Sequence, residues 1–96
     1  MPDLNKIRNI LSLLKPGLLQ KYPINSIGLF GSIVREDFNA NSDIDIIVDF
    51  KSPIGIEFIT LADELEDKLN CKVDLVSRKG IKNQYFKEIE REIIYV

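Results

Sequence analysis

The chain has 96 residues, with 13 Lys and Arg against 15 Asp and Glu, one cysteine and no histidine. A formal charge of -2 without a block of like charges argues against a dedicated binder of nucleic acid or anionic membrane. One cysteine cannot form an internal disulfide, and neither a signal peptide nor a membrane-spanning run is visible. We therefore expect a single cytoplasmic domain over residues 1–96, whose catalytic bases or metal ligands are carboxylates.

The N-terminal third of the sequence is typical of an amphipathic helix. Its apolar residues recur at helical spacing, and an aspartate stands at the position of an N-cap. We predict a helix over residues 3–20, bent or interrupted at residues 15–17 because Pro16 lies there. The helical stripe consists of Leu4, Ile7, Leu11, Leu14 and Leu18.

The next segment, residues 26–30 ("SIGLF"), predicts a short buried strand that runs directly into Gly31 and Ser32. One or two turns of helix follow at residues 33–35. Glycine lets a backbone approach a ligand closely, and the N–H groups at the start of a helix attract anions. With the Ser32 hydroxyl as a further donor, this turn is a candidate phosphate cradle.

Residues 43–50 predict a second strand with two chemically different faces. Ile44, Ile46, Val48 and Phe50 share the apolar face, while the opposite face carries Asp43, Asp45, Ile47 and Asp49. Aspartate is depleted from strands, so we expect a reason other than folding for its presence. Asp43 and Asp45 would lie about 6.6 Å apart along one face, and at an effective dielectric of about 20 they would repel by roughly 2.5 kcal/mol. Mg²⁺, which prefers oxygen ligands, would relieve that repulsion.

The remaining elements are predicted as a helix over residues 56–69, a strand over residues 71–77 and a last helix over residues 81–94, with "IIYV" as a possible strand. Asp74 interrupts the third strand. If it lies on the face of Asp43 and Asp45, three carboxylates can hold two Mg²⁺ about 3.5–4 Å apart, one activating an attacking hydroxyl and one the leaving pyrophosphate.

Structural alternatives exist for each of these residues. A Gly-Ser pair after a strand is by itself more often a turn, and Asp43 could be a cap. Asp49, about 13 Å from Asp45 along the strand, is interpreted as a solvated strand end. The basic residues Arg78, Lys79 and Lys82 could steer a nucleotide, but a solvated turn is the simpler interpretation.

The spacing of these residues resembles the signature of the DNA polymerase beta-like nucleotidyltransferase superfamily. There, Gly-Ser is followed by ten residues and then Asp-x-Asp, as in Gly31-Ser32 and Asp43-Ile44-Asp45. The small size and "LFGS...VR...SDIDIIVDF" are similar to the minimal nucleotidyltransferases, known as MNT proteins. This resemblance implies an α+β fold with a small mixed sheet flanked by helices, ATP as the nucleotide and two Mg²⁺ ions.

By position in the motif, the resemblance implies that Gly31 and Ser32 hold the triphosphate and that Arg35 touches phosphate. It also implies that Asp43, Asp45 and Asp74 are the catalytic metal ligands. The residue after that arginine is often glycine in relatives and is Glu36 here.

The function implied by the resemblance is that of an antitoxin that transfers AMP to a tyrosine of a small helical HEPN toxin. The sequence also allows a non-catalytic nucleotide-binding module that neutralises a partner by complex formation, and it leaves a homo-oligomer open. The absence of a basic groove argues against nucleic acid as the acceptor. The stripe of Phe86, Ile89 and Ile93 offers a docking surface for a protein acceptor, or it could pack on the first helix.

Overall fold

The secondary structure alternates helices with strands in a computed structural model that describes residues 2–96. In chain order the elements are α1 (Leu4–Lys21), β1 (Ile24–Phe30), α2 (Ser32–Arg35), β2 (Ile44–Phe50), α3 (Glu57–Leu69), β3 (Val73–Ser77), α4 (Asn83–Ile89), a 3₁₀ turn (Glu90–Glu92) and β4 (Ile94–Tyr95).

The four strands form one mixed sheet in the order β3-β2-β1-β4. The central strands β1 and β2 are antiparallel, β4 is antiparallel to β1, and β3 is parallel to β2. Helix α3 supplies the crossover that a parallel pair requires. The predicted α+β fold with a small mixed sheet flanked by helices is confirmed. Within residues 2–96, no helix combines the length and apolarity needed to cross a membrane.

Helix α1 begins as its sequence predicts and then continues through its proline. Asp3 caps it, since its Oδ1 accepts a hydrogen bond of 2.9 Å from the backbone N–H of Lys6. The predicted interruption at Pro16 is wrong, because Pro16 lies inside the helix. An internal proline costs about 3 kcal/mol, whereas each large apolar side chain buried on either side contributes about 1.5–3 kcal/mol. The residues that are buried along α1 are Ile7, Leu11 and Leu18.

The main core lies between one face of the sheet and the helices α1 and α3. The apolar face of β2 was predicted correctly, since Ile44, Ile46 and Val48 are fully buried in it. A smaller core covers the opposite face, where Phe30, Ile47 and Ile89 are buried together. Both faces of the sheet are therefore covered. Helices α1 and α3 cover the first face, and α4 with the 3₁₀ turn after it covers the second.

The C-terminal segment differs from its prediction as one helix over residues 81–94. It forms α4, a 3₁₀ turn and the short edge strand β4, so the possible strand within "IIYV" is confirmed. The edge of β1 offers unpaired backbone groups, and β4 pairs with it through Gly28 and Leu29. Of the two alternatives for the C-terminal stripe, packing on the first helix is wrong. Phe86, Ile89 and Ile93 pack on the second sheet face instead.

Candidate active site

The three acidic residues come together where β1 ends and where β2 and β3 begin. Asp45 lies opposite Asp74 in the parallel pairing of β2 and β3, and opposite Phe30 in β1. Asp43 immediately precedes β2. The neighbours of Asp74 on its own strand, Val73 and Leu75, pack into the main core. Because side chains alternate along a strand, Asp45 and Asp74 share the opposite face.

The electrostatics of this site centre on Asp45. Its pKa is raised from 3.8 to about 6, first by burial, then by the negative charges of Asp74 and Asp43, and also by a hydrogen bond with Asp74. Arg35 acts in the opposite direction on the same pKa. Like charges gathered around a half-buried carboxyl favour binding either a proton or a cation.

The carboxylates suit Mg²⁺ by their chemistry, although they are not arranged as a finished metal site. In the described part of the chain, no three His, Cys, Asp or Glu side chains converge closely enough to hold a metal. A set of oxygen ligands that repel one another is nevertheless what a hard divalent cation stabilises. The side chains that could hold it are Asp43, Asp45 and Asp74, of which Asp43 and Asp74 are exposed and Asp45 is half-buried.

Gly31 lies against Asp45 and has a backbone conformation that only glycine adopts readily. Its φ is 77° and its ψ is -151°. A Cβ built on Gly31 would overlap Oδ2 of Asp45 and lie 2.9 Å from its Cγ. The sequence predicts a glycine here because the backbone approaches a ligand closely. The structure adds a second reason, because the Asp45 carboxylate already fills the space of a side chain.

Arg35 and the backbone of Gly31 are both bound to Glu92, a residue that was not predicted from the sequence to lie in the site. Oε1 of Glu92 accepts a hydrogen bond of 2.9 Å from the Gly31 N–H. Nη1 of Arg35 donates to Oε1 at 3.3 Å and to Oε2 at 3.4 Å. Arg35 also lies 3.8 Å from Asp37 through its Nε. No local pattern points to Glu92, since it lies 61 positions from Gly31.

Glu36 takes the left-handed conformation, with φ 70° and ψ 18°, at the C-cap of α2. Glycine adopts this conformation without strain, whereas glutamate is strained in it, so Glu36 lowers the stability of the folded protein. We expect Glu36→Gly to raise the free energy of unfolding by about 0.5–1 kcal/mol. Urea denaturation measures this, with Asn70→Gly as the control, because asparagine tolerates the left-handed φ of 54° found there. An unchanged or lower stability of Glu36→Gly would contradict the prediction.

The basic residues after β3 contact other parts of the protein, away from Asp45. The Arg78 guanidinium lies 3.6 Å from the centre of the Phe86 ring. Nζ of Lys79 donates to the backbone oxygen of Phe50, at the far end of β2. Asp49 accepts a hydrogen bond of 3.1 Å from Asn25. These contacts support the structural interpretation of the basic turn and of Asp49.

Comparison with known proteins agrees with this fold. A family model described as "Nucleotidyltransferase domain" matches residues 11–95. The chain is 39% identical over 97 residues to the protein adenylyltransferase MntA of Thermococcus cleftensis, and the alignment covers 100% of this chain and 98% of the relative. The chain therefore belongs to the nucleotidyltransferase domain family, and it is a nucleotidyltransferase.

Solved structures place it more narrowly. A structure of a candidate minimal nucleotidyltransferase matches with a TM-score of 0.83 and 26% identity, covering 97% of this chain and 95% of the other. A toxin-antitoxin complex solved with AMP-PNP matches with a TM-score of 0.74 and 27% identity, covering 93% of this chain and 70% of the other. The predicted membership of the minimal nucleotidyltransferase family is confirmed.

Proposed function

We propose that this protein is an antitoxin that transfers AMP from ATP, with Mg²⁺, to a tyrosine hydroxyl of a helical HEPN-type partner. The observation that carries the proposal is the gathering of Asp43 and Asp74 around Asp45, beside the glycine turn that precedes Ser32. Support for the adenylyl group and for a toxin partner comes from the two relatives described above, a protein adenylyltransferase and a toxin-antitoxin complex with AMP-PNP.

The nucleotide is held, in this proposal, by the donors at the end of β1. The Gly31 N–H, the Ser32 hydroxyl and the Arg35 guanidinium bind the phosphates, since N–H and guanidinium groups suit phosphate oxygens. Asp43, Asp45 and Asp74 hold Mg²⁺, which when bound neutralises the carboxylates and the departing pyrophosphate.

The transfer step needs an acceptor hydroxyl in line with the leaving pyrophosphate. The hydroxyl oxygen bonds to the α-phosphorus, the bond from that phosphorus to the bridging oxygen breaks, and pyrophosphate departs. The proton of the hydroxyl passes to a carboxylate, and we assign this role to Asp74, which is exposed and lies directly opposite Asp45. A protein acceptor fits better than a nucleic-acid end, because the chain has a net charge of -2.

The test is intact-mass analysis of a purified HEPN-type partner incubated with the protein, ATP and Mg²⁺. We expect the partner to gain the mass of AMP and peptide mapping to place it on a tyrosine. The Asp74→Asn variant should lose this activity by about 10³-fold, while Asp49→Asn, on the same sheet face but distant from the cluster, should keep it. In reactions that contain tRNA or DNA ends as the acceptor, the nucleic acid should gain no mass of AMP.

Two outcomes would contradict this proposal. Transfer of AMP to nucleic-acid ends, without transfer to the partner protein, would show that the acceptor is a nucleic acid. Neutralisation of the partner by both the wild type and Asp74→Asn, with no AMP on either partner sample, would show that complex formation alone is the function.

A further inference from the structure

Glu92 occupies donors that the proposed function assigns to the nucleotide. Its carboxylate accepts hydrogen bonds from the backbone N–H of Gly31 and from the guanidinium of Arg35, which are two of the three donors in the phosphate cradle. A carboxylate presents two anionic oxygens to these donors, as a phosphate does. The Glu92 carboxylate thus occupies the position that is proposed for a phosphate group of the nucleotide.

The position of Glu92 follows from the pairing of the C-terminal edge strand. Gly28 pairs with Tyr95, and Leu29 pairs with Ile94, in antiparallel register. Continuing that register brings Gly31 beside Glu92, two residues before β4 begins. The Gly31 N–H therefore has no strand carbonyl to bond, and the Glu92 carboxylate accepts its hydrogen bond instead.

We propose that Glu92 competes with the nucleotide phosphates for Arg35 and the Gly31 N–H, so that it must release both donors when nucleotide binds. This inference rests on the proposed function, because it takes these donors to be a phosphate site. Glu92 is then a residue that lowers nucleotide affinity, and through β4 it links the occupancy of the phosphate site to the C-terminal segment.

Displacement of Glu92 is physically accessible. The Arg35 side chain is 53% exposed and that of Glu92 is 23% exposed. Ion pairs between groups this exposed to water are weak, whereas arginine binds phosphate through two parallel N–H bonds. Once phosphate holds Arg35, the Glu92 carboxylate would face like charges in the phosphates, so it turns away from the donors.

The opposite role for Glu92 is that of a positioning residue that holds Arg35 and the glycine turn ready for phosphate. The two roles predict opposite signs for one substitution. Removing the negative charge of a competitor strengthens phosphate binding, whereas removing a positioning residue weakens it. The Glu92→Gln variant keeps the size of the side chain and an acceptor oxygen, so it isolates the charge.

The experiment is calorimetric titration of wild type, Glu92→Gln and Glu90→Gln with AMP-PNP and, separately, with inorganic tripolyphosphate, in the presence of Mg²⁺. We expect Glu92→Gln to bind both probes about fivefold more tightly than wild type. Glu90→Gln lies in the same 3₁₀ turn and makes the same change in net charge, so it should stay within about twofold of wild type. In an Arg35→Gln background, the gain from Glu92→Gln should shrink.

The outcomes separate the inference from the proposed function. If wild type binds AMP-PNP and Glu92→Gln binds it equally or more weakly, the competition is overturned and the phosphate site stands. If neither protein binds AMP-PNP or tripolyphosphate, the phosphate site itself is wrong, and the competition falls with it. A gain as large in Glu90→Gln would show a long-range charge effect and would also overturn the inference.

Discussion

Asp45→Asn is expected to lower nucleotide transfer by about 10³-fold or more, and yet to leave the metal-free protein more stable than wild type at pH 7. The loss of transfer follows because an amide is a poorer ligand than a carboxylate for Mg²⁺. The gain in stability follows because the carboxyl of Asp45 is half-buried beside the charges of Asp74 and Asp43. An asparagine removes that repulsion and still donates a hydrogen bond to Asp74.

The contribution of Asp45 to the stability of the metal-free protein depends on pH. The folded protein raises the pKa of Asp45 from 3.8 to about 6, so it binds the proton more tightly than the unfolded chain does. Stability from this group is complete below pH 3.8 and is lost as the pH rises through 6. After a discount for solvent screening, the loss is about 1 kcal/mol. The Asn variant should not show this loss.

Urea denaturation in chelator, at a series of pH values from 4 to 8, measures the difference between the two proteins. They should be nearly equal at pH 4 and diverge through pH 6, with Asp45→Asn the more stable. Asp49→Asn is the control, since Asp49 lies on the same face but is bound to Asn25. A metal-free Asp45→Asn variant that is less stable than wild type by 2 kcal/mol would show that Asp45 is structural.

Much of the placement of the candidate site residues could be predicted because these residues follow local periodicity. The period of two along β2 placed Asp45 on the face opposite Ile44 and Ile46, and the same alternation around Asp74 gave its face. Whether Asp45 and Asp74 lie opposite one another depends on the register of β2 against β3. That register is set by the tertiary packing of the crossover helix, which no local pattern encodes.

The C-terminal segment was predicted less well for a related reason. Its apolar residues fit a helical stripe, and helical spacing alone favours one helix over residues 81–94. The competing influence is the unpaired edge of β1, which takes Ile94 and Tyr95 into the sheet. Ile47, the apolar residue between Asp45 and Asp49, is buried on the second sheet face, which the C-terminal segment covers. Glu92 could not be predicted at all, because its contacts exist only after β4 has paired.

The other large effect is expected from a substitution at Gly31. We expect Gly31→Val to lower nucleotide affinity by about 100-fold or more, because its side chain would block the close approach of the backbone to the ligand. We also expect it to lower the free energy of unfolding by about 2 kcal/mol or more, because the backbone there is strained for any side chain. Ser32→Ala removes one hydroxyl and should lower nucleotide affinity by no more than about tenfold. Calorimetry with AMP-PNP and urea denaturation measure the two quantities. Near-equal effects on affinity would contradict a role for close backbone approach.

The cause of the Gly31 effect can be separated by a double-mutant cycle with the milder Gly31→Ala. A Cβ at Gly31 would overlap Oδ2 of Asp45 but lie 3.3 Å from its Cβ. In an Asp45→Ala background the overlap is gone, so Gly31→Ala should destabilise the protein less, leaving the strain of the positive φ. Gly17→Ala, whose Cβ would meet nothing within 4 Å, is the control. Equal losses in both backgrounds would mean that the backbone conformation alone, and not the Asp45 carboxylate, requires glycine here.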